Sequence, residues 1–175
     1  MGEISFMKGY RVVFSALRRF TWLKIWQVIK LVVPDPVFAA LSFYATLKAY
    51  TIAQKCFPKT NSTSGVGNAF RHALWCCLIM MYCCKMHSPH KALAFCKKVT
   101  DLHEELFPND PLQKEMDLHN NSVGMAMFMD MLPGIHRQFF EAGFFIEVLV
   151  DKTKSARKVD SITEINSSEL VYLSD

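Results

Sequence analysis

An uncharged apolar segment in the middle of the chain constrains the fold more than any other feature of the sequence. Residues 73–84 carry no charge, and the wider segment 68–86 has the length of a helix rather than of a strand. A helix that is hydrophobic all round must be covered by neighbours on every side. We therefore predict that segment 68–86 is the central helix of a helical protein. Its first turns are polar, with Arg71 and His72 close to the beginning.

The composition is that of a globular protein of moderate charge. The 175 residues are 51% hydrophobic and 21% charged, and the formal net charge is +4. This length fits a single domain, 1–175, with a sizeable core. The small positive charge, without a basic block, argues against nucleic-acid binding. Six cysteines without C-x2-C spacing predict reduced core thiols, a cytoplasmic location and no zinc knuckle.

Prolines, glycines and capping residues divide the chain into six predicted helices. Their expected ranges are 6–33, 36–56, 68–86, 89–107, 116–131 and 135–150, followed by a polar, irregular tail at 151–175 with a short strand at 170–173. The sequence therefore predicts an all-α protein, a single compact bundle of about six helices. In this organisation 1–33 is a basic amphipathic helix and 34–150 is the helical core.

The first predicted helix carries tryptophans together with basic residues. Trp22 and Trp26 are interspersed with Arg18, Arg19 and Lys30. A basic amphipathic helix with tryptophans can lie on an anionic membrane, so segment 6–33 is a candidate for peripheral membrane contact. The same pattern also fits an ordinary helix that covers the core. No apolar stretch in the chain reaches the length of about 18 residues that a membrane span requires.

Three short polar clusters interrupt the apolar helices. They are 68–75 (NAFRHALW), 101–105 (DLHEE) and 117–121 (DLHNN). Buried polar groups cost free energy unless they are paired, so these clusters predict a site or a buried polar network. Helices joined by short loops pack antiparallel. The start of the third helix, the end of the fourth and the start of the fifth then meet, which predicts a polar site at one end of the bundle.

Helical periodicity selects the side chains that face inward. On the third helix His72 shares a face with Asn68 and Trp75, and on the fourth His103 lies on an apolar stripe beside Glu104. The fifth helix has a similar polar face. Its members are Asp117, Asn120, Asn121 and Gly124, with His119 on the opposite side. A glycine in mid-helix predicts a close backbone approach.

The clusters support three kinds of chemistry. The first is a divalent metal site, zinc or manganese, with ligands drawn from His72, Asp101, His103, Glu104 and Asp117. The second is metal-free acid–base catalysis, in which His72 is the acid or base and Asp101, Glu104 or Asp117 orients it. The third is a structural network without catalysis. The H-E-x-x-H pattern of zincins is absent.

The metal site and the acid–base site are both compatible with a hydrolase acting on a phosphoester, amide or glycosidic bond. In it Arg71 would hold an anionic small or polymeric ligand, and the helix starts near Asn68 and Asp117 would favour that charge. The predicted substrate-binding set is Asn68, Arg71, Trp75, Asn120 and Asn121.

The ordered segments GNAFRHALW, TDLHEELFPN and MDLHNNSVG resemble a family of uncharacterised bacterial proteins common in Bacteroidetes. The resemblance covers 67–124 and implies a domain of unknown function related to C-terminal domains of polymorphic-toxin and RHS-type proteins. It also implies that the shared positions include Arg71, His72, Glu104 and Asp117. This chain departs from the pattern at Met125, where many members have arginine, which would bear on activity if that arginine binds substrate.

Overall fold

The computed structural model describes residues 21–165 and 168–174, and this part of the chain is mainly helical. Its helices are α1 (Trp22–Val32), α2 (Pro36–Cys56), α3 (Val66–Met86), α4 (Pro89–Leu106), α5 (Pro111–Met131) and α6 (Ala142–Thr153). Two short 3-10 helices, Arg137–Phe139 and Ile162–Glu164, lie before and after α6. Strands β1 (Arg157–Lys158) and β2 (Val171–Tyr172) pair in parallel. The predicted all-α bundle is confirmed.

Helix α3 is the centre of this bundle, as its apolar sequence predicts. Sixteen of its 21 residues are buried. It packs against α2, α4, α5, α6 and β2. Each neighbour covers a different part of the helix surface, so α3 has no solvent-facing stripe along most of its length. The polar side chains in its first turns must therefore find partners inside the protein.

Helices α3 and α5 approach each other closely at Gly124. A Cβ atom at this position would lie 2.3 Å from the carbonyl oxygen of Ala73 and 2.7 Å from its Cα. The mid-helix glycine is therefore explained by backbone contact, as predicted. This contact sets the spacing of α3 and α5 next to His72 on α3 and about one turn beyond the cluster 117–121 on α5.

Two predicted helix boundaries were wrong. Helix α5 begins at Pro111 and not near 116, because Asp110 caps it by accepting a hydrogen bond from the backbone N–H of Leu112 at 2.9 Å. Asp117 therefore lies inside α5, and a helix N-terminus cannot favour an anion there. The predicted helix 135–150 is instead the 3-10 helix Arg137–Phe139 followed by α6, since Phe140 and Glu141 have extended backbone.

The predictions for the first helix and for the cysteines are confirmed in part. Of the helix expected at 6–33, the described part is α1, and 6–20 lies outside the described residues. All six cysteines are free, and five are buried, but Cys56 is exposed at the end of α2. Burial raises the pKa of the Cys83 thiol to about 12 and that of the Cys84 thiol to about 11, which leaves both unreactive.

The C-terminal tail is fastened to α5 by one asparagine. Asn120 donates from Nδ2 to the carbonyl oxygen of Val171 at 2.9 Å, and its Oδ1 accepts from the N–H of Val171 at 3.0 Å. This pair of bonds places β2 against α5. Strand β2 lies within the short strand that the sequence predicts at 170–173. The side-chain amide of Asn120 therefore binds the backbone of the tail through both its oxygen and its nitrogen.

No single helix in the described part of the chain is long and apolar enough to cross a membrane. Helices α1 and α2 reach the required length and hydropathy only as a pair, and a bend of 113° separates them.

The contact at Gly124 predicts the effect of adding one methyl group. Gly124→Ala should lower the free energy of unfolding by about 1–3 kcal/mol, because the backbone of Ala73 cannot move without separating α3 from α5. The melting temperature should fall by roughly 3–10 °C in differential scanning calorimetry. Gly143→Ala is the matched control, since nothing lies within 4 Å of a Cβ built there. Equal melting temperatures for the two variants would contradict the close approach.

Candidate functional site

Helices α3, α4 and α5 each contribute one buried side chain to a cluster at one end of the bundle. His72 comes from α3, Glu104 from α4 and Asp117 from α5, and each is at most 4% exposed. One nitrogen or oxygen of each lies within 4.8 Å of the corresponding atoms of the other two. The convergence expected from antiparallel connectivity is therefore observed for these residues.

The imidazole of His72 is held by polar groups at both ring nitrogens. Its Nδ1 lies 3.2 Å from Oδ1 of Asn121, and its Nε2 lies 3.3 Å from Oδ1 of Asp117. Burial, with the neighbouring charge of Arg71, holds the pKa of His72 well below its usual value, so the ring is neutral near pH 7. With Nδ1–H donating to Asn121, the lone pair of Nε2 faces the centre of the cluster.

Two asparagines orient the carboxylate of Asp117. Asn68 donates from Nδ2 to Oδ1 at 2.9 Å, and Asn109 donates from Nδ2 to Oδ2 at 3.5 Å. Burial raises the pKa of Asp117 to about 6, although the positive charge of Arg71 and the two amide hydrogen bonds oppose the rise. The carboxylate is therefore largely ionised near pH 7 and fixed in direction.

The carboxylate of Glu104 is buried without a partner. The residue is 2% exposed, and neither Oε1 nor Oε2 has a hydrogen-bond partner in the described part of the chain. Burial, and then the nearby charge of Asp117, raise the pKa of Glu104 to about 7. A buried carboxylate without a donor is costly in either protonation state, so the side chain requires a proton acceptor, a water molecule or a cation.

Arg71 brings a positive charge to the edge of the cluster. Its Nη1 donates to the backbone oxygen of Asn61 at 2.6 Å, and its Nη2 donates to Oδ1 of Asn68. Nη2 also lies 3.3 Å from Nε2 of His72. The guanidinium thus ties the loop after α2 to the first turns of α3.

An aromatic wall closes the cluster on the side of α4. The ring of His103 packs between two other rings: its centroid lies 5.2 Å from that of Trp75 in an edge-on arrangement and 5.1 Å from that of Phe107 in a tilted one. Trp75 donates from Nε1 to Oγ1 of Thr46 at 2.9 Å. Burial, together with the charge of Arg71, lowers the pKa of His103 to about 4. His103, a predicted ligand, is therefore a neutral wall residue and not a member of the three-residue cluster.

An open cleft of about 370 Å³ reaches the cluster at Asp117, and His72 and Glu104 are not among its lining residues. Its lining is polar and consists of Ser62, Thr63, Ser64, Asn68, Arg71, Asn109, Gln113 and Asp117. Three of these, Asn68, Arg71 and Asp117, belong to the predicted site. The loop residues were not predicted, because loops have no periodicity that would indicate which side chains face inward. The Asp110–Pro111 capping signal would have placed Asn109 next to the site.

Several predicted site residues lie elsewhere. Asp101 is exposed, because the face of α4 that packs inward is the one that bears Thr100 and Glu104. Asn120 binds the tail, as described above. Met125 is half-buried and packs against the apolar core. His119, which periodicity places away from the site, lies 2.8 Å from the carbonyl oxygen of Glu169 through its Nε2.

Fold and site together define a class: an all-α domain with a buried histidine–carboxylate cluster that borders a polar cleft at Asp117. A family model described as Domain of unknown function (DUF6973) matches residues 29–157, and the chain belongs to this family. The matched range contains α2 to α6 and every residue of the cluster. No curated protein matches the chain. No solved structure matches it either.

The raised pKa of Glu104 predicts a pH-dependent difference between the wild type and Glu104→Gln in the presence of a chelator. A carboxyl group whose pKa is raised on folding stabilises the folded state at low pH and loses that contribution as the pH rises. For Glu104 the loss should run from its usual value near 4.5 to about 7. Glu104→Gln should therefore gain stability relative to the wild type across this interval.

Urea unfolding of both proteins between pH 4 and 8 measures this difference. His72, His103 and Asp117 titrate in both proteins, so their contributions largely cancel in the comparison. A stability difference that stays constant with pH would show that Glu104 is not held in a desolvated, unpaired state.

Proposed function

We propose that this protein is a hydrolase whose site is a divalent-cation centre held by His72, Glu104 and Asp117. The observation that carries the proposal is the buried, unpartnered carboxylate of Glu104, which faces an imidazole nitrogen and a second carboxylate. Their ligand atoms lie within 4.8 Å of one another. That separation is close to the span of a single ion whose bonds to nitrogen and oxygen are about 2.0–2.2 Å.

The donor set limits the kind of ion. One imidazole nitrogen and two carboxylates suit zinc or manganese, and three protein ligands leave positions for water or substrate. Asn121 holds His72, while Asn68 and Asn109 hold Asp117. Such outer hydrogen bonds orient ligands and keep them in the required state. The cluster therefore has both the ligands and the supporting groups of a metal site.

The cation, Arg71 and the polar cleft would each have a role in the proposed hydrolysis. Bound in this position, a divalent cation would lower the pKa of a water molecule and polarise the scissile bond. Arg71 would release Nε2 of His72, remain attached to Asn61 and Asn68, and bind an anionic group of the substrate. The polar cleft would admit a phosphoester, an amide or a glycoside. The resemblance to domains of bacterial polymorphic toxins is in keeping with a hydrolase.

One observation favours a second candidate, a structural polar network without catalysis. Arg71 donates hydrogen bonds to Asn61 and Asn68, and these bonds join the loop after α2 to α3. In this alternative the cluster fixes the fold, and His72→Ala destabilises the protein with no change in cation response. The unpartnered oxygens of Glu104 favour the cation centre over this alternative.

Cation binding should stabilise the wild type and not the ligand variants. At a free concentration of Zn²⁺ or Mn²⁺ 100 times Kd, the gain is about 2.7 kcal/mol. This gain corresponds to a rise of roughly 5–10 °C in melting temperature. Glu104→Gln and Asp117→Asn should lose the rise. Asp101→Asn is the matched control, because it removes an exposed carboxylate three residues before Glu104 on the same helix. An equal rise in all four proteins would place the cation elsewhere.

Hydrolysis should depend on the same residues. Nitrophenyl phosphodiester, nitroanilide and nitrophenyl glycoside substrates separate the three bond types, and the cation-loaded wild type should cleave one of them. A chelator, Glu104→Gln and Asp117→Asn should each reduce the rate by about 100-fold or more, since the cation supplies several kcal/mol to the transition state. Site-specific cation binding without cleavage of any bond type would contradict the enzymatic part of the proposal.

A further inference from the structure

Helix α1 presents its tryptophans to the outside of the protein, and two of its polar side chains contact the end of α4. Lys24 donates from Nζ to the carbonyl oxygen of Leu106, and Gln27 donates from Nε2 to Oε2 of Glu105 at 3.1 Å. Leu31, one turn further along the same face, packs against the core. The inner face of α1 is thus anchored to the end of α4 largely through polar contacts.

The outer face of α1 is an apolar strip. Trp22, Trp26, Ile29 and Val33 follow one another at helical spacing and share this face. Trp22 is 78% exposed, Trp26 51% and Val33 69%. None of the 11 residues of α1 is buried. An amphipathic helix normally turns its apolar side to the core, so an outward apolar strip indicates a surface that is covered by something else.

The positive charge of the sequence is concentrated in the N-terminal segment that contains this strip. Residues 1–33 carry six Lys or Arg residues and one Glu, a formal charge of +5. The rest of the chain therefore has a formal charge of −1, although the whole chain has +4. Lys30 lies at the edge of the strip, with Nζ 5.9 Å from the centroid of the Trp26 ring. The exposed apolar strip and most of the positive charge thus belong to the same segment of the sequence.

We propose that α1 docks the protein onto an anionic phospholipid membrane. Tryptophan rings, with an apolar body and a polar N–H, are suited to the boundary between lipid headgroups and acyl chains. Lys30 at the edge of the strip can keep its ammonium group at the headgroups while its stem contacts lipid. Attraction between the basic segment and anionic lipid adds to the burial of the tryptophans. The lipid surface thereby satisfies both features of α1.

The helix lies on the membrane and does not enter it. An 11-residue helix is about 16 Å long, roughly half of the hydrocarbon thickness. The 113° bend before α2 and the packing of α2 on α3 prevent the two helices from forming one span. Docking through α1 is independent of the cluster of His72, Glu104 and Asp117, so either proposal can fail without the other.

Flotation of the full chain with lipid vesicles tests the docking. At low salt the wild type should float with vesicles of phosphatidylcholine containing about 30% phosphatidylserine, and bind pure phosphatidylcholine at least about tenfold more weakly. Raising the salt concentration should weaken binding to the anionic vesicles. The double variant Trp22→Ser/Trp26→Ser should bind these vesicles about tenfold or more weakly than the wild type. Both side chains are solvent-exposed, and circular dichroism checks that the variant is folded.

A matched control distinguishes binding through the strip from nonspecific binding of exposed aromatic side chains to lipid. Phe139→Ser removes an aromatic side chain that is 72% exposed on a different element, and this variant should bind the anionic vesicles as the wild type does. No flotation of the wild type at low salt would overturn the proposal. Equal binding by the double variant would also overturn it. A change from dimer to monomer in the double variant, without vesicle binding by the wild type, would assign the strip to a second copy of the chain.

Discussion

The enclosure of α3 on every side is the constraint on which the rest of the structure depends. Its apolar length is covered by α2, α4, α5 and α6. In its first turns Asn68 and His72 are buried with it, and Arg71 is half-buried at the cleft. They draw polar partners from each surrounding element, since an unpaired polar group in this position would cost several kcal/mol. The candidate site is the result of that requirement.

The resulting network pairs most of its members but leaves one charge unpaired. Asp117 has two amide donors, and His72 has Asn121 as partner at Nδ1 and Arg71 at Nε2. Glu104 has none for either oxygen within the described part of the chain, and its pKa is raised to about 7. Natural cores rarely retain a carboxylate in such a position without a purpose. A cation between the three side chains satisfies Glu104 and takes the Nε2 lone pair of His72 once Arg71 has released it.

Helical periodicity and connectivity were sufficient to predict the bundle, its central helix, the inward direction of His72 and the meeting of the three polar clusters. They could not assign Asp101, because α4 packs on two faces and periodicity alone does not decide which carboxylate lies at the contact. They could not find Asn61, because loops lack periodicity. Asn120 was assigned to the site because its partner, Val171, lies in a tail with no pattern to indicate its position. The Asp110–Pro111 capping signal was present and would have corrected the start of α5.

The central claim is that His72, Glu104 and Asp117 bind one cation together. The most direct measurement is a crystal structure of the Mn²⁺- or Zn²⁺-loaded protein with anomalous diffraction data collected at the absorption edge of the metal. The account predicts one strong anomalous peak, about 2.0–2.2 Å from Nε2 of His72 and from a carboxylate oxygen of each acid. No peak between these side chains, with Glu104 instead hydrogen-bonded to ordered water or to Arg71, would contradict it.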